Sequence, residues 1–199
     1  MVDASIQTKR MTIDEYMRLY ETKGPFEIIN GERVEKVAPG YPHIRIALAL
    51  YTALILFLND HPLGEAIQEA PFTFPDPENP NWVKGARIPD IVFISAERLA
   101  AFHAEFADEE IKVITIAPDL VIEIVSPNGS YGDVRQKVQL YLQDGVQQVW
   151  VIDPKTKSVT IRKGDHAQEL SESDTLDGAD ILPGLSIKVA KLFKKSGEK

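Results

Sequence analysis

The chain has 199 residues, 44% of them hydrophobic, and no cysteine, so one sizeable core is within reach while disulfides, thiolate metal sites and a cysteine nucleophile are excluded. A formal net charge of −8 argues against a surface that grips nucleic acid over its whole extent, though a local patch or bound metal ions would still allow contact. The lack of cysteine fits a reducing, cytoplasmic setting, the first ten residues hold no apolar signal core, and the longest apolar run, residues 46–58, is shorter than the ~20 residues of a membrane helix. A soluble protein without membrane contact is therefore expected.

A single domain is expected over residues 1–199, with an ordered core from about residue 11 to 193. Thr12 and Glu15 have the spacing of a capping box, and Ile13, Tyr16, Met17 and Tyr20 form one helical stripe behind them, which predicts a short first helix. Residues 26–37, F-E-I-I-N-G-E-R-V-E-K-V, predict a hairpin, because Asn30-Gly31 is the pair that a two-residue turn demands. That turn sets Ile29 opposite Glu32 and Glu27 opposite Val34, so Glu27 and Glu32 share a face, expected to be solvated. Residues 43–59 are nearly all apolar, and a helix apolar all round is buried in the core or against a second subunit. His43 stands at its N-terminal end, where a histidine serves as a structural hydrogen-bonding group or faces a phosphate or a metal-bound water.

Residues 65–74 read as one strand, and the stretch P-D-P-E-N-P-N-W-V-K-G-A after it as a loop long enough to border a cleft. Residues 87–94, R-I-P-D-I-V-F-I, read as the next strand, with Asp90 near its start and Pro89 confining that part to the first residues or to an edge. Residues 96–112 form an acidic helical stretch carrying Phe102 and Phe106, expected as a lid or outer helix.

The segment from Ala117 to Asp153 is the part the rest serves. Its branched aliphatics from Leu120 to Val125, interrupted by Glu123 and bounded by Pro118 and Pro127, predict a strand buried on both faces. A carboxylate there needs a cation, a metal or a dense set of hydrogen bonds. Residues 132–145, G-D-V-R-Q-K-V-Q-L-Y-L-Q-D-G, predict a helix that packs through Val134, Val138, Tyr141 and Leu142 and stops at a left-handed Gly145. Lys137 lies on or beside that packing face and is expected to point inward. V-W-V-I-D-P is a second aliphatic strand, so strand, helix and strand make the crossover unit of an α/β protein, with the acid and the lysine meeting at one end of the sheet. Beyond Asp153, S-V-T-I-R-K and the segment up to I-L-P-G-L-S-I-K-V predict short antiparallel strands, and V-A-K-L-F closes the fold before a charged tail.

The ionisable groups set into core positions are thus Asp90, Glu123 and Lys137, with Glu27, Glu32, His43 and Arg87 as satellites. Two carboxylates on adjacent core strands repel each other unless a divalent cation neutralises them. Hard oxygen ligands suit Mg²⁺ or Mn²⁺, and such an ion suits phosphodiester hydrolysis, with a lysine to stabilise the transition state. A structural salt bridge among the same groups is the other reading of this pattern.

R-I-P-D-I-V-F with Asp90, P-D-L-V-I-E-I-V-S-P with Glu123, Lys137 in the next helix and V-W-V-I-D-P together resemble the PD-(D/E)xK nuclease superfamily, and within it the Uma-two family of restriction-endonuclease-like proteins. F-E-I-I-N-G-E near the start and L-P-G-L-S-I near the end extend the likeness over nearly the whole chain. The resemblance implies an α/β fold: a restriction-endonuclease-like core with a four-stranded mixed sheet flanked by helices, an N-terminal helix and hairpin, and C-terminal antiparallel strands. It implies Asp90 and Glu123 as ligands of Mg²⁺ or Mn²⁺, Lys137 as the assisting cation, and DNA as the substrate of a metal-dependent endonuclease. Glu27 or Glu32 would add an outer ligand, and His43 and Arg87 would meet the substrate backbone. In the parent superfamily the lysine stands two residues after the second acid, a position held here by Val125, so its function must have moved to Lys137. A homodimer through the apolar helix is expected, and a catalytically idle member of the fold with a structural or interaction role is the alternative.

Overall fold

The computed structural model describes residues 11–106, 113–126 and 131–194. In chain order its elements begin with α1 (Ile13–Lys23), β1 (Phe26–Ile29), β2 (Glu32–Glu35), α2 (Tyr41–Asp60), β3 (Gly64–Gln68), β4 (Phe72–Pro75), β5 (Val83–Arg87), β6 (Ile91–Ser95) and α3 (Ala96–Phe106). They continue with β7 (Leu120–Ile124), α4 (Tyr131–Gln143), β8 (Gln148–Asp153), β9 (Ser158–Lys163), β10 (His166–Leu170), β11 (Thr175–Asp177), β12 (Ser186–Lys188) and α5 (Val189–Phe193). Their contacts sort them into two compact units: α1, β1, β2, β4 and β5 make one, the remaining elements the other.

In the first unit α1 starts on the expected capping box: the Thr12 hydroxyl accepts from the Glu15 N–H, and the Glu15 carboxylate accepts from the Thr12 N–H. The hairpin turns at Asn30 and Gly31, both with positive φ, and its register pairs Ile29 with Glu32 and Glu27 with Val34, as the turn requires. The sheet order is β2-β1-β5-β4, all antiparallel. Because β1 is an interior strand, Glu27 is buried, while Glu32 on the edge strand β2 is exposed, so the shared face is solvated at one glutamate only. Tyr16, Phe26, Ile28, Val83 and Ala86 form this unit's core, and the Tyr16 hydroxyl donates to the Phe26 carbonyl at 3.2 Å.

Two predicted strands prove to be broken. Residues 65–74 divide into β3 and β4, which lie in different sheets. Glu69 adopts a left-handed φ of 49° and Pro71 follows Ala70, so an extended run cannot pass through. Residues 87–94 divide likewise, with β5 ending at Arg87 and β6 beginning at Ile91, because Pro89 offers no N–H to a ladder. The proline-rich stretch is a closed turn: Asp76 N–H bonds to the Trp82 carbonyl at 2.8 Å and β5 begins at Val83, inside the segment expected to be a loop.

The second unit is built on a six-stranded sheet of order β10-β9-β8-β7-β6-β3, where the resemblance implied four strands. Among these strands β7 and β8 form the parallel pair, joined by α4 as the predicted crossover, and the other pairs are antiparallel. One sheet face carries Ile91, Phe93, Leu120, Ile122, Ile124, Trp150 and Ile152, and the α2 residues Ile46, Leu50, Leu54 and Leu58 belong to the same core cluster. The helix α2 runs to 20 residues and is by length and composition long and apolar enough to cross a membrane, unlike the shorter apolar run inside it. It is not buried all round: Ile44, Leu48, Ile55 and Leu56 remain exposed on its outer side. Phe102 anchors α3, whereas the Phe106 side chain, residues 107–112 and Pro127 lie outside the described residues. The chain closes with the antiparallel pair β11–β12 and α5.

Burial, with Tyr20 and Glu27 as lesser causes, pushes the Tyr16 hydroxyl far above its ordinary value. A raised folded pKa means that the neutral hydroxyl's contribution is complete below about pH 10, the unfolded tyrosine value, and is lost as pH rises through the folded value. Tyr16→Phe should cost about 1 kcal/mol of stability at neutral pH. In urea titrations repeated up to alkaline pH, the variant's stability should fall less steeply above about pH 10 than that of the wild type.

Candidate active site

Asp90 and Glu123 come together through strand register. Ile91 in β6 pairs with Ile122 in β7, so Asp90, one residue before β6, stands opposite Glu123 on the same side of the sheet. Directly opposed residues in an antiparallel pair have Cβ atoms ~4.5–5.5 Å apart. Both acids are buried, at 4% and 6% relative exposure, which is costly for carboxylates unless partners compensate. For Asp90 the partners are the Ile124 N–H, which donates to Oδ2 at 2.7 Å, and the His43 imidazole, whose Nε2 lies 3.2 Å from Oδ1. Its own carbonyl accepts from the Glu69 N–H at 3.3 Å, so the bend before β6 is held from both sides.

Glu123 is met by one helical face. Lys137 Nζ lies 2.8 Å from Glu123 Oε1, and the Tyr141 hydroxyl donates to the same oxygen at 2.6 Å. Lys137 and Tyr141 are four residues apart on α4, one turn along the same face, which is why both reach one atom. Val138 and Tyr141 are buried as the packing face predicts, and Lys137 points inward with 13% of its side chain exposed. An ammonium and a phenol on one carboxylate oxygen give it a counter-charge and a second strong donor.

This geometry accompanies a sequence likeness. The Uma2 family, described as "Putative restriction endonuclease", matches residues 13–190. The chain belongs to the Uma2 family. No curated protein matches it. Among solved structures it is similar to a crystal structure described as "a putative nuclease belonging to DUF820" from Anabaena variabilis, with 24% identity and a TM-score of 0.76 over 92% of this chain and 97% of that one. At that identity the likeness speaks for a common fold.

In this Uma2 protein the strand position two residues after the second acid is Val125, whose N–H bonds to the Ile152 carbonyl at 2.8 Å, and the lysine reaches Glu123 from the helix instead. His43 sits in the first turns of α2, but its Nε2 is turned onto Asp90, and its Nδ1 is buried without a hydrogen-bond partner among the described residues. Glu27, Glu32 and Arg87 stand in the first unit. There Glu27 Oε1 accepts from the Ile88 N–H at 2.9 Å, the Arg87 guanidinium lies 4.5 Å from the centre of the Phe74 ring, and Glu32 is exposed. Sequence reasoning used Tyr141 only for packing. Its spacing from Lys137 was the available signal, since a tyrosine on that face carries its hydroxyl toward whatever the lysine meets.

Among the described residues no group of three or more His, Asp or Glu side chains is placed to hold a metal ion. Two opposed carboxylates do fit a hard ion that keeps most of its water, as Mg²⁺ does, and do not fit a closed protein cage. A carboxylate offers about four lone-pair sites, and the two donors named above on each of Asp90 and Glu123 take two of them.

Tyr141→Phe keeps the buried ring and removes only the donor, so urea unfolding should give a loss of about 1.5–3 kcal/mol, as for a hydrogen bond to a charged group. Lys137→Met, which leaves a buried carboxylate without its cation, should cost about 3–5 kcal/mol. Because both donors meet one atom, the double variant should depart from additivity by more than about 0.5 kcal/mol; additive losses would mean that they do not share Glu123 in solution.

Proposed function

We propose that this Uma2 protein is a metal-dependent endonuclease that hydrolyses phosphodiester bonds of DNA, acting in the cytoplasm as one endonuclease-like domain. Asp90 and Glu123 would hold Mg²⁺ or Mn²⁺, which when bound supplies an oriented water and positive charge against the phosphate. The observation that carries this reading is the opposed acid pair with Lys137 Nζ 2.8 Å from Glu123, an arrangement of two hard ligands and one compact cation. Lys137 keeps its proton as an ammonium and offsets charge building on the scissile phosphate. Tyr141 holds Glu123 in one orientation, and His43 does the same for Asp90, so neither carboxylate has to be ordered when substrate arrives.

A second reading has its own support. Asp90 and Glu123 are each compensated by donors within the protein, which is what a structural network in a catalytically idle member would also need. Metal separates the two, because a ligand that binds only the folded state stabilises it by mass action. Mn²⁺ at about a hundred times its dissociation constant should add about 2.7 kcal/mol to the wild type. Neither Asp90→Ala nor Glu123→Ala should gain it, and both should fail to nick plasmid DNA. Lys137→Met should keep the metal-dependent gain and lose most cleavage, with Lys137→Arg a poor rescue, since a planar fork does not replace a compact ammonium. Absence of any Mn²⁺-dependent gain in the wild type would favour the idle reading.

The exposed stripe of Ile44, Leu48 and Ile55 on α2 would pair with the same stripe of a second copy about a two-fold axis. Two chains of charge −8 approach most easily where neither surface is charged, and this stripe carries no charged residue. Light scattering at micromolar concentration should give twice the 22.2 kDa chain mass, and Leu48→Asp should return it to one. A monomeric wild type would overturn the pairing.

A further inference from the structure

A recess of about 380 Å³ adjoins the first turns of α2, bordered by Tyr41, Arg45, Pro154, Lys157 and Phe193. Arg45 follows His43 by two residues, about 200° round the helix, so one side of α2 serves the acid pair while the other opens onto this recess. The recess is close to that pair along the sheet. Glu123 is paired with Val151, and Pro154 stands three residues beyond Val151, a step of about 10 Å along the strand direction.

Its chemistry is unusual for so acidic a chain. Among the described residues Arg45 makes no ion pair or hydrogen bond, although it is half-buried. Among the described residues Lys157 is engaged only with Glu172, at 3.2 Å in an exposed pair of the kind that adds little and exchanges readily. Tyr41 leaves 71% of its surface in water, and the Phe193 ring, partly exposed, borders the same space. Two cations beside aromatic faces are the elements with which proteins hold a nucleic-acid strand, phosphate on the cation and base on the ring. A recess of this size admits a single base, and a base is free to enter only where it is unpaired, since a duplex hides its faces in the stack.

We propose that this recess takes one unpaired base against Tyr41, with a neighbouring phosphate on Arg45 and Lys157. The proposal rests on the nuclease reading of Asp90 and Glu123 and adds the form of the substrate: DNA with unpaired nucleotides beside the bond to be cut, at an end, a flap or a gap. It also reconciles a net charge of −8 with a nucleic-acid substrate, because a few nucleotides are held locally and no broad basic surface is needed.

The test is fluorescence anisotropy with a labelled oligothymidine, alone and annealed to oligoadenine, in EDTA so that no metal-dependent cleavage intervenes. The wild type should bind the single strand more tightly than the duplex. Tyr41→Ala should weaken single-strand binding by roughly five- to hundredfold, the span of one stacked base. Arg45→Gln should lower the slope of log affinity against log salt by about 0.7, one phosphate contact on a single strand. Both residues lie outside the core, so unchanged melting temperatures should accompany the losses. No single-strand binding by the wild type, unaltered binding by both variants, or equal losses on duplex and single strand would each overturn the proposal. Plasmid nicking in Mn²⁺ is read separately: nicking with unaltered oligonucleotide binding by the variants removes the recess alone, and the expected binding losses without any nicking remove the nuclease reading alone.

Discussion

Glu123 is almost wholly shielded from water in the interior of a six-stranded sheet, and it is tolerable there because one turn of α4 delivers two donors to the same oxygen. Much of the second unit follows from that requirement. The parallel pairing of β7 with β8 needs a crossover, the crossover is a helix, and its packing face brings Lys137 and Tyr141 over the strand it has just left. Remove the charge from either side and the other becomes a buried ion that has lost its counter-charge, a larger penalty than the pair's own net attraction.

Asp90 is secured by different means. Pro89 ends any ladder at the entrance to β6, and the bend that results puts Asp90 opposite Glu123, with Oδ2 on the backbone N–H of the residue after that glutamate. The α2 helix then adds His43. A strand end, a neighbouring strand's backbone and the first turns of a long helix thus fix one carboxylate, so small shifts of α2 bear directly on the acid pair. The same helix buries Ile46, Leu50, Leu54 and Leu58 in the core cluster, which makes its position stiff.

That the lysine meets Glu123 from the helix and not from the strand itself has a physical consequence. A lysine on the strand would project from the same face as the acid, whereas Lys137 comes down from the layer above and keeps its ammonium in place through the packing of Val138 and Tyr141. That layer also supplies the phenol, which a strand lysine would not bring with it. Uma2 membership covers residues 13–190, and the likeness to the solved structure is one of fold. The contacts that would preorganise the proposed site are here the ones that stabilise the core.

Local pattern alone determined a good part of this. Capping-box spacing, the Asn30-Gly31 turn and its register, the aliphatic run around Glu123 and the helical stripe of Val134, Val138 and Tyr141 are short-range signals, and each element formed where they placed it. The inward lysine was legible for the same reason, since three- and four-residue spacings fix which way a helical side chain points. What the sequence did not determine is long-range. Residues 65–74 and 87–94 read as continuous because hydrophobic pattern carries no record of which sheet a strand joins, and Glu69 and Pro89 divide them between two sheets. The exposure of Ile44 and Leu48, the burial of Glu27 on an interior strand, the turn of His43 onto Asp90 and the Tyr141 bond to Glu123 all depend on what covers a surface from elsewhere in the chain. Spacing sets the direction of a side chain, but only packing at a distance decides what it meets.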